Sequence, residues 1–458
     1  MMAKQDTSTA TPKLRFLEFR AAPVWSVKPM NGLYTFMRNN TLSRDKLNYE
    51  SGGAKNVHYG DIHTKFSALF DITKENVPYV NSSEEIPGIE SEDYCIEGDL
   101  IFADASEDTN DVGKSIEIVR LAGEQLLSGQ HTILARRKDN TLIVGFGGHL
   151  FRSGLIRSRI EKEAQGTKVY QISSSRLGGI DITFPGDRAE QQKISACLTS
   201  LDEVIAAQGR KVEALKTHKR GLMQQLFPRE GETLPRLRFV EYRDAPDWYE
   251  KSFGRIYDFM PTNIFSRNQL NYAAGTVKNI HYGDIHTKFS AQFRIDSELV
   301  PFVNSEESLG KIKPDAYCRE GDMVFADASE DLRDVGKSIE LVGLNGEKLL
   351  SGSHTILARQ READLVLGFG GYLFKSCGVR AQIEKEAHGT KVMSISPSRL
   401  AGIAVRFPAD TNEQQRIADC LSSLDTQITA ESNQLAALKT HKQGLMQQLF
   451  PTQEAAGA

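Results

Sequence analysis

Two short segments contain side chains of the types that bind metal ions or phosphates. His58 and His63, with Asp61 between them, suggest a pair of metal ligands, but no further ligand lies close by in the sequence. Residues 112–115 (VGKS) end like a phosphate-binding loop, yet the first glycine of such a loop would have to stand where Asp108 stands. Polar loops are the more common setting for such residues, so we predict neither a metal ion nor a nucleotide here.

A third candidate is the acidic group formed by Asp104, Glu107 and Asp108, which could chelate a cation. No accompanying lysine pattern of a nuclease supports that chemistry. The sequence also lacks an NPPY-like tetrapeptide of the kind found in amino-methyltransferases. We therefore predict that the chain is not catalytic alone.

The segments that contain these side chains occur twice in the sequence. Residues 58–68 (HYGDIHTKFSA) recur letter for letter at 281–291, an offset of 281 − 58 = 223. The same offset relates further segments, which begin at Phe102, Asp111, His131, Ile160 and Gly221. Because this period is far too long for a solenoid, we predict two complete modules in tandem.

Each copy changes from a mixed pattern to a purely helical one. Short β-branched and aromatic segments alternate with glycine-rich turns in the first part, which indicates a mixed α/β domain. Asp187 and Glu190 stand at capping-box spacing where the helical pattern begins, and Pro228 ends it. The predicted order is a flexible tail (1–12), module 1 (13–186), a spacer helix (187–228), a linker (229–236), module 2 (237–409), a second spacer helix (410–451) and a tail (452–458).

Each predicted helix has a narrow apolar seam with steps of three and four residues, which is typical of a coiled coil. The seam residues are Ile194, Leu198, Leu201, Ile205, Val212, Leu215, Leu222 and Leu226, then Ile417, Leu421, Leu424, Ile428, Leu435, Leu438, Leu445 and Leu449. We expect the two helices to pair as an antiparallel coiled coil, since a whole module separates the end of one from the start of the other. This gives an α+β fold class with pseudo-twofold symmetry. The alternative is that each helix packs on its own module.

The composition does not identify a binding partner, but it restricts the cellular compartment in which the protein is expected. The 56 Lys and Arg against 60 Asp and Glu give a net charge of −4, although acids dominate 84–111 and bases dominate 136–176. Such segregation can offer one basic face to phosphates. The chain lacks an apolar stretch near the ~20 residues of a membrane span, an apolar leader and any CxxC pair, so we expect a cytoplasmic protein.

The ordered set of motifs resembles the specificity subunit of type I restriction–modification enzymes over essentially the whole chain. The motifs, each echoed in the second copy, are residues 22–25 (APVW), 59–62 (YGDI), 98–102 (GDLIF), 112–114 (VGK), 184–185 (FP), 190–192 (EQQ), 201–202 (LD), 215–216 (LK) and 221–228 (GLMQQLFP). The order of these segments, present twice, is the specific feature.

The resemblance implies two target-recognition domains that bind double-stranded DNA, and helices that dock two methyltransferase (modification) subunits. Restriction (motor-nuclease) subunits would complete a complex that methylates adenine at N6 and restricts unmethylated DNA. The chain itself would have no active site and no cofactor. S-adenosylmethionine, ATP and magnesium would belong to the partner subunits.

One departure from the family pattern predicts the shape of the target. Family members typically have two dissimilar recognition domains, whereas the two copies here are closely alike. If a twofold axis relates them, they should recognise the same half-site on opposite strands, so we predict an interrupted palindrome. The half-sites could differ where the copies differ, at Arg137/Gln360 and Arg159/Gln382.

The candidate DNA contacts are cationic or histidine side chains that both copies share, because arginine suits guanine edges and lysine suits phosphates. They are Arg44, His58, Lys65, Arg136 and Arg157 in the first copy and Arg267, His281, Lys288, Arg359 and Arg380 in the second.

Two other functions remain open from the sequence. One is a solitary DNA-binding scaffold or repressor that recognises an interrupted palindrome without methyltransferase partners. The other is an enzyme duplicated for symmetry, with His58, Asp61 and His63 in each active site, and two bound metals per chain would favour it.

Overall fold

The protein, seen in a computed structural model, is described over residues 11–81, 90–304 and 309–452. It divides into two compact units, unit 1 (1–208 with 434–458) and unit 2 (209–433). Each unit contains one globular module and part of each of two long helices. Most of the predicted tails, and residues 84–89 of the acidic stretch, lie outside the described residues.

Module 1 consists of short strands and helices. Its strands are β1 (Ser26–Pro29), β2 (Tyr34–Met37), β3 (Leu47–Asn48), β4 (Lys55–Val57), β5 (Leu69–Asp71), β6 (Tyr79–Val80), β7 (Leu100–Ala103), β8 (Ala105–Ser106), β9 (Ser115–Arg120), β10 (Leu126–Ser128), β11 (Thr132–Arg137), β12 (Tyr170–Gln171) and β13 (Asp181–Phe184). Its helices are α1 (Met30–Leu33), α2 (Tyr59–Thr64), α3 (Gly147–Leu150), α4 (Gly154–Glu163) and α5 (Ser174–Gly179), with 3₁₀ turns at Leu17–Phe19, Arg44–Lys46 and Ser91–Asp93.

A five-stranded mixed sheet in the order β2-β11-β7-β9-β5 forms the centre of module 1. The central strand β7 has the sequence LIFA and is buried along its whole length, because the sheet is covered on both faces. It runs antiparallel to β11 and β9, while β5 pairs with β9 in parallel. A four-stranded sheet (β10-β4-β6-β3) and the ribbons β1-β13 and β8-β12 complete the module.

Module 2 repeats this topology. Its strands are β14 (Tyr249–Ser252), β15 (Tyr257–Met260), β16 (Leu270–Asn271), β17 (Lys278–Ile280), β18 (Gln292–Arg294), β19 (Phe302–Val303), β20 (Met323–Ala326), β21 (Ala328–Ser329), β22 (Ser338–Gly343), β23 (Leu349–Ser351), β24 (Thr355–Gln360), β25 (Met393–Ser394) and β26 (Ala404–Phe407). The helices are α7 (Phe253–Ile256), α8 (Tyr282–Thr287), α9 (Gly370–Leu373), α10 (Cys377–Glu386) and α11 (Pro397–Gly402), with 3₁₀ turns at Val240–Tyr242, Arg267–Gln269 and Pro314–Ala316. The five-stranded sheet has the order β15-β24-β20-β22-β18.

The long helices are α6 (Arg188–Leu226) and α12 (Thr411–Leu449), and each ends just before a Phe-Pro pair. The capping box predicted at the start of α6 is only half present. The Asp187 carboxylate accepts a hydrogen bond from the Ala189 N–H at 2.8 Å, as an N-cap should. Glu190 does not turn back to the cap but forms an ion pair with Arg15. The ion pair with Arg15 therefore takes the place of the local hydrogen bond that Glu190 would make in a capping box.

The two helices run antiparallel within each unit. In unit 1, Ile194 near the start of α6 shares a core with Leu449 at the end of α12, and Lys442 binds Asp202 at 2.5 Å. The same pattern holds in unit 2, where the end of α6 meets the start of α12. All sixteen predicted seam residues are buried or half-buried. The predicted α+β fold class with antiparallel long helices is confirmed, and each helix also packs on a module core. Among the described helices, none combines the length and the apolar character of a membrane span.

A buried carboxylate in the central sheet of each module makes stability depend on pH. Glu340 in β22 accepts hydrogen bonds from the N–H groups of Gly368 and Gly371, at 2.8 and 2.7 Å. Burial nevertheless raises the pKa of Glu340 from 4.5 to about 7, as it does for Glu117 in module 1.

Replacing Glu340 with Gln should therefore remove a pH-dependent part of the unfolding free energy. The folded state binds this proton more tightly than the unfolded state, so the stabilisation is present below pH 4.5 and is lost as the pH rises through 7. The loss amounts to about 3 kcal/mol at about 1.4 kcal/mol per pKa unit. Urea unfolding between pH 4.5 and 8 should show the variant gaining that much relative to the wild type. Substituting the exposed Glu347 with Gln is the control, and an equal pH dependence in both variants would contradict the prediction.

Candidate nucleic-acid interface

The segments that are identical in the two copies come together around α2 in module 1. Five side chains form a group that we call the α2 cluster: Arg44, His58, Tyr59, Lys65 and His131. The Tyr59 ring lies between two histidines, with ring-centroid distances of 4.6 Å to His58 and 5.4 Å to His131. The cluster therefore combines cations, imidazoles and an aromatic ring on one surface.

A buried carboxylate fixes the two cations of the α2 cluster. Asp61 is 1% exposed and pairs with Arg44 at 3.0 Å and with Lys65 at 2.8 Å. The two cationic side chains are themselves 47% and 50% exposed, so their positions are held while their charges face solvent. Holding a cation in place lowers the entropy lost when it binds a phosphate or a base edge.

The His58 imidazole is held in one tautomer. Its Nδ1 accepts the N–H of Gly60 at 3.2 Å, which caps α2, so the proton of the neutral ring is on Nε2. Partial burial, and then the positive charge of Arg44, lower the pKa of His58 below its usual value of 6.5. A neutral ring at pH 7 with a defined N–H donor suits the acceptors of a base edge or a phosphate.

His131 stands in a backbone conformation that few residues with a side chain adopt. Its φ is +57°, and His354 has the same value at the equivalent position of module 2. The His131 Nδ1 lies 3.4 Å from Asp104, and its ring packs edge-on against Tyr59. The equal φ values show that the two modules place this histidine in the same way.

Sequence reasoning missed His131 and Tyr59 as site residues, although both lie inside segments that are identical in the two copies. Tyr59 lies in the 59–62 motif and His131 is a histidine that both copies share, so the repeat could have pointed to both residues.

His63 and Asp61 have partners inside the protein. The His63 Nε2 lies 3.1 Å from the carbonyl oxygen of Ala105, and Asp61 is occupied by its two cations. Within the described residues, no three His, Cys, Asp or Glu side chains come together as metal ligands would. These contacts give His63 and Asp61 a structural role in the surface around α2.

The same surface recurs around α8 in module 2. We call it the α8 cluster, and it consists of Arg267, His281, Tyr282, Lys288 and His354. The buried Asp284 binds Lys288 at 2.8 Å and Arg267 at 3.4 Å, and the Tyr282 ring lies 5.4 Å from His354. Two clusters with the same groups in the same contacts can bind the same chemical features of a ligand.

Two other pairs of arginines that were predicted to contact DNA form hydrogen bonds within their own modules. Arg136 binds Asp99 through two bonds of 2.8 and 3.2 Å and also donates to the carbonyl oxygen of Tyr94. Arg157 donates to the carbonyl oxygens of Asn110 and Val112. Arg359 and Arg380 make the equivalent bonds in module 2. A role for these four side chains in DNA contact stays a prediction, whereas their place in the fold is clear.

The two differences between the copies that we considered as a source of different half-sites also make contacts within their own modules. Arg137 and Gln360 both donate to the carbonyl oxygen five residues further on, in Leu142 and Leu365 respectively. In the same way Arg159 donates to the carbonyl oxygen of Asp181, and Gln382 donates to that of Ala404. Each glutamine thus replaces its arginine in the same backbone contact, which gives these positions a structural role, and a role in distinguishing half-sites stays a prediction.

The chain thus combines a duplicated mixed α/β module, an exposed cationic and aromatic cluster in each copy, and two long antiparallel helices. The chain is 22% identical over 435 residues to a curated protein named as the specificity subunit of the type I restriction enzyme MjaX of Methanocaldococcus jannaschii, which covers 93% of this chain and 92% of the relative. It is 23% identical over 203 residues to the type I specificity subunit S.MgeORF438P of Mycoplasma genitalium, which covers 44% of this chain and 52% of that protein. No family model matches the sequence.

Solved structures share the fold. The crystal structure of a type I restriction–modification S subunit from M. genitalium covers 96% of this chain and 99% of its own, with a TM-score of 0.54 at 14% identity. A chain from a structure of a type I restriction–modification system covers 93% and 97%, with a TM-score of 0.55 at 14% identity. The predicted resemblance to type I specificity subunits is confirmed.

Proposed function

We propose that the chain is the DNA sequence-specificity subunit of a type I restriction–modification complex. In this role each module recognises one half of a bipartite site, and the long helices dock the methyltransferase subunits. The observation that supports the proposal most strongly is the occurrence of the same α2 and α8 clusters in two modules, within a chain that is similar to specificity subunits over nearly its whole length.

The two clusters also support the proposal that the target is an interrupted palindrome. Every side chain of the α2 cluster has an identical counterpart in the α8 cluster, 223 residues later. At two positions where the copies differ, Arg137/Gln360 and Arg159/Gln382, the side chains make equivalent backbone contacts in the two modules. Like surfaces should recognise like half-sites, and a spacer that neither module contacts would separate them.

The remaining parts of the complex belong to the same proposal. Two modification subunits would supply adenine-N6 methylation, and restriction subunits would supply ATP-dependent cleavage. S-adenosylmethionine, ATP and magnesium would bind to those subunits, and this chain would contribute no cofactor site. The complex would act in the cytoplasm, where the DNA of a prokaryotic cell is accessible.

Mapping N6-methyladenine across a genome tests the proposal directly. We would express the chain with its neighbouring methyltransferase and restriction genes and sequence single DNA molecules. We expect an interrupted palindromic motif that disappears when this chain is deleted. An asymmetric split motif would keep the specificity role and overturn the palindrome. Stable expression of the complex without any motif would overturn the specificity role and favour a solitary DNA-binding protein.

A further inference from the structure

A strongly basic depression lies beside α8 in module 2. It is open, with a volume of about 480 Å³, and five cationic side chains and one acidic side chain line it. These are Lys288, Arg333, Lys337, Lys375, Arg380 and Glu384, and we call the depression the basic pocket. This excess of cations predicts an anionic occupant.

Three of the five cations already have acidic partners. Lys288 pairs with Asp284 at 2.8 Å, Lys337 with Asp334 at 2.6 Å, and Arg380 lies 3.8 Å from Glu384. These pairs stabilise the walls of the pocket, but they leave two positive charges uncompensated.

The side chains of the remaining two cations, Arg333 and Lys375, form no hydrogen bond or ion pair with the residues that the structure describes. Arg333 is exposed in the loop before β22, whereas Lys375 is more enclosed, between α9 and α10. Burial, and then the positive charge of Lys219, lower the pKa of Lys375 to about 8. The carboxylates of Asp425 and Glu298 offset this cost only in part, so binding an anion beside Lys375 would relieve a cost that the free protein bears.

The pocket is continuous with the α8 cluster. The residues at the end of α8, His286 to Phe289, line the pocket, while His281 and Tyr282 stand at the start of the same short helix. Six helical residues extend only ~9 Å. A ligand that lies on the α8 cluster therefore passes close to the pocket.

We infer that the basic pocket binds one backbone phosphate of the DNA duplex whose bases face the α8 cluster. This inference rests on the proposed DNA-binding function and adds a specific site to it. A phosphodiester offers anionic oxygens to the two uncompensated cations, and such contacts fix the register of a protein on DNA without selecting sequence.

The equivalent region of module 1 is less suited to bind a phosphate. Asn110 occupies the position of Arg333, and Arg152 occupies that of Lys375. The Arg152 guanidinium already donates to the carbonyl oxygens of Ser115 and Phe66, at 2.9 and 3.4 Å. We therefore expect module 2 to hold the DNA backbone more strongly than module 1, although both modules recognise the same half-site.

The salt dependence of DNA binding tests this inference. We would measure the affinity of the co-expressed methyltransferase complex for a 30-base-pair duplex from about 50 to 200 mM salt, with the variants Arg333→Asn and Lys375→Met. One bound phosphate contributes about 0.9 to the slope of log affinity against log salt concentration. The slope measured for the double variant should therefore be shallower than that of the wild type by about 0.9. Arg333→Asn alone should show part of the change, and this exposed substitution introduces the residue that module 1 already has.

The controls separate the pocket from the proposed function. Arg20→Ala with Arg243→Ala removes two exposed cations that lie outside the basic pocket, both clusters and the long helices, and it should leave the slope unchanged. The methylated motif should be the same in wild type and pocket variants, since a phosphate contact selects no base. An unchanged slope in the double variant would overturn the pocket while leaving the specificity role intact. A wild-type complex that bound no DNA would instead overturn the proposed function.

Discussion

Replacing Glu413 with Gln is expected to lower the unfolding free energy of unit 2 by about 3–5 kcal/mol, the usual cost of breaking a buried ion pair. Glu413 is 1% exposed and binds Arg238 through two bonds of 2.7 Å, while Trp248 donates to the same carboxylate at 3.4 Å. The neutral amide would leave the 10%-exposed Arg238 guanidinium without its counter-charge. Urea unfolding followed by tryptophan fluorescence measures the effect, because Trp248 packs beside the pair.

Two further variants show whether the lost charge pairing is responsible. Asp258→Asn breaks an ion pair with Arg361 in which both side chains are about half exposed, and it should cost less than about 1 kcal/mol. Arg238→Met combined with Glu413→Leu removes both charges and should recover much of the loss, because no buried charge remains unpaired. A double variant as unstable as Glu413→Gln would show that shape and not charge holds this site together.

Replacing Arg44 and Arg267 with Ala is expected to lower specific DNA affinity by about 1–3 kcal/mol for each half-site. Together the two changes correspond to a loss of about 30-fold to 10⁴-fold. Both arginines are about half exposed, and Lys65 and Lys288 still neutralise the buried aspartates at 2.8 Å, so we expect the fold to persist. The measurement is the affinity of the methyltransferase complex for a duplex with the mapped motif and for a scrambled duplex.

The comparison of the two duplexes distinguishes base recognition from simple loss of charge. Arg20→Ala with Arg243→Ala removes the same charge from exposed positions outside the clusters and the long helices, and it should leave the preference for the motif unchanged. The arginine variants should lose much of that preference. A preference equal to that of the wild type would exclude Arg44 and Arg267 from base recognition.

The duplication, the two modules and the two long helices could all be predicted from the sequence. Repetition is visible as identical letters at one offset, and a coiled-coil seam is a local pattern that the helical period alone determines. The ends of α6 and α12 were likewise set locally by Asp187, Asp410 and the prolines that follow each helix. Strand order could not be predicted, because strands that are adjacent in the sheet, such as β2 and β11, lie about a hundred residues apart.

The tertiary structure alone decided which charged residues face solvent. Arg44 and Arg136 are both arginines shared by the two copies, so the sequence could not separate them. The pairing of β7 with β11 brings Asp99 against Arg136 and occupies its guanidinium, whereas Asp61 holds Arg44 at the surface. Glu190 similarly bonds to a residue 175 positions away instead of its own helix start. Long-range partners outweigh local pattern at such positions because a buried charge must be neutralised wherever the fold places its counterpart.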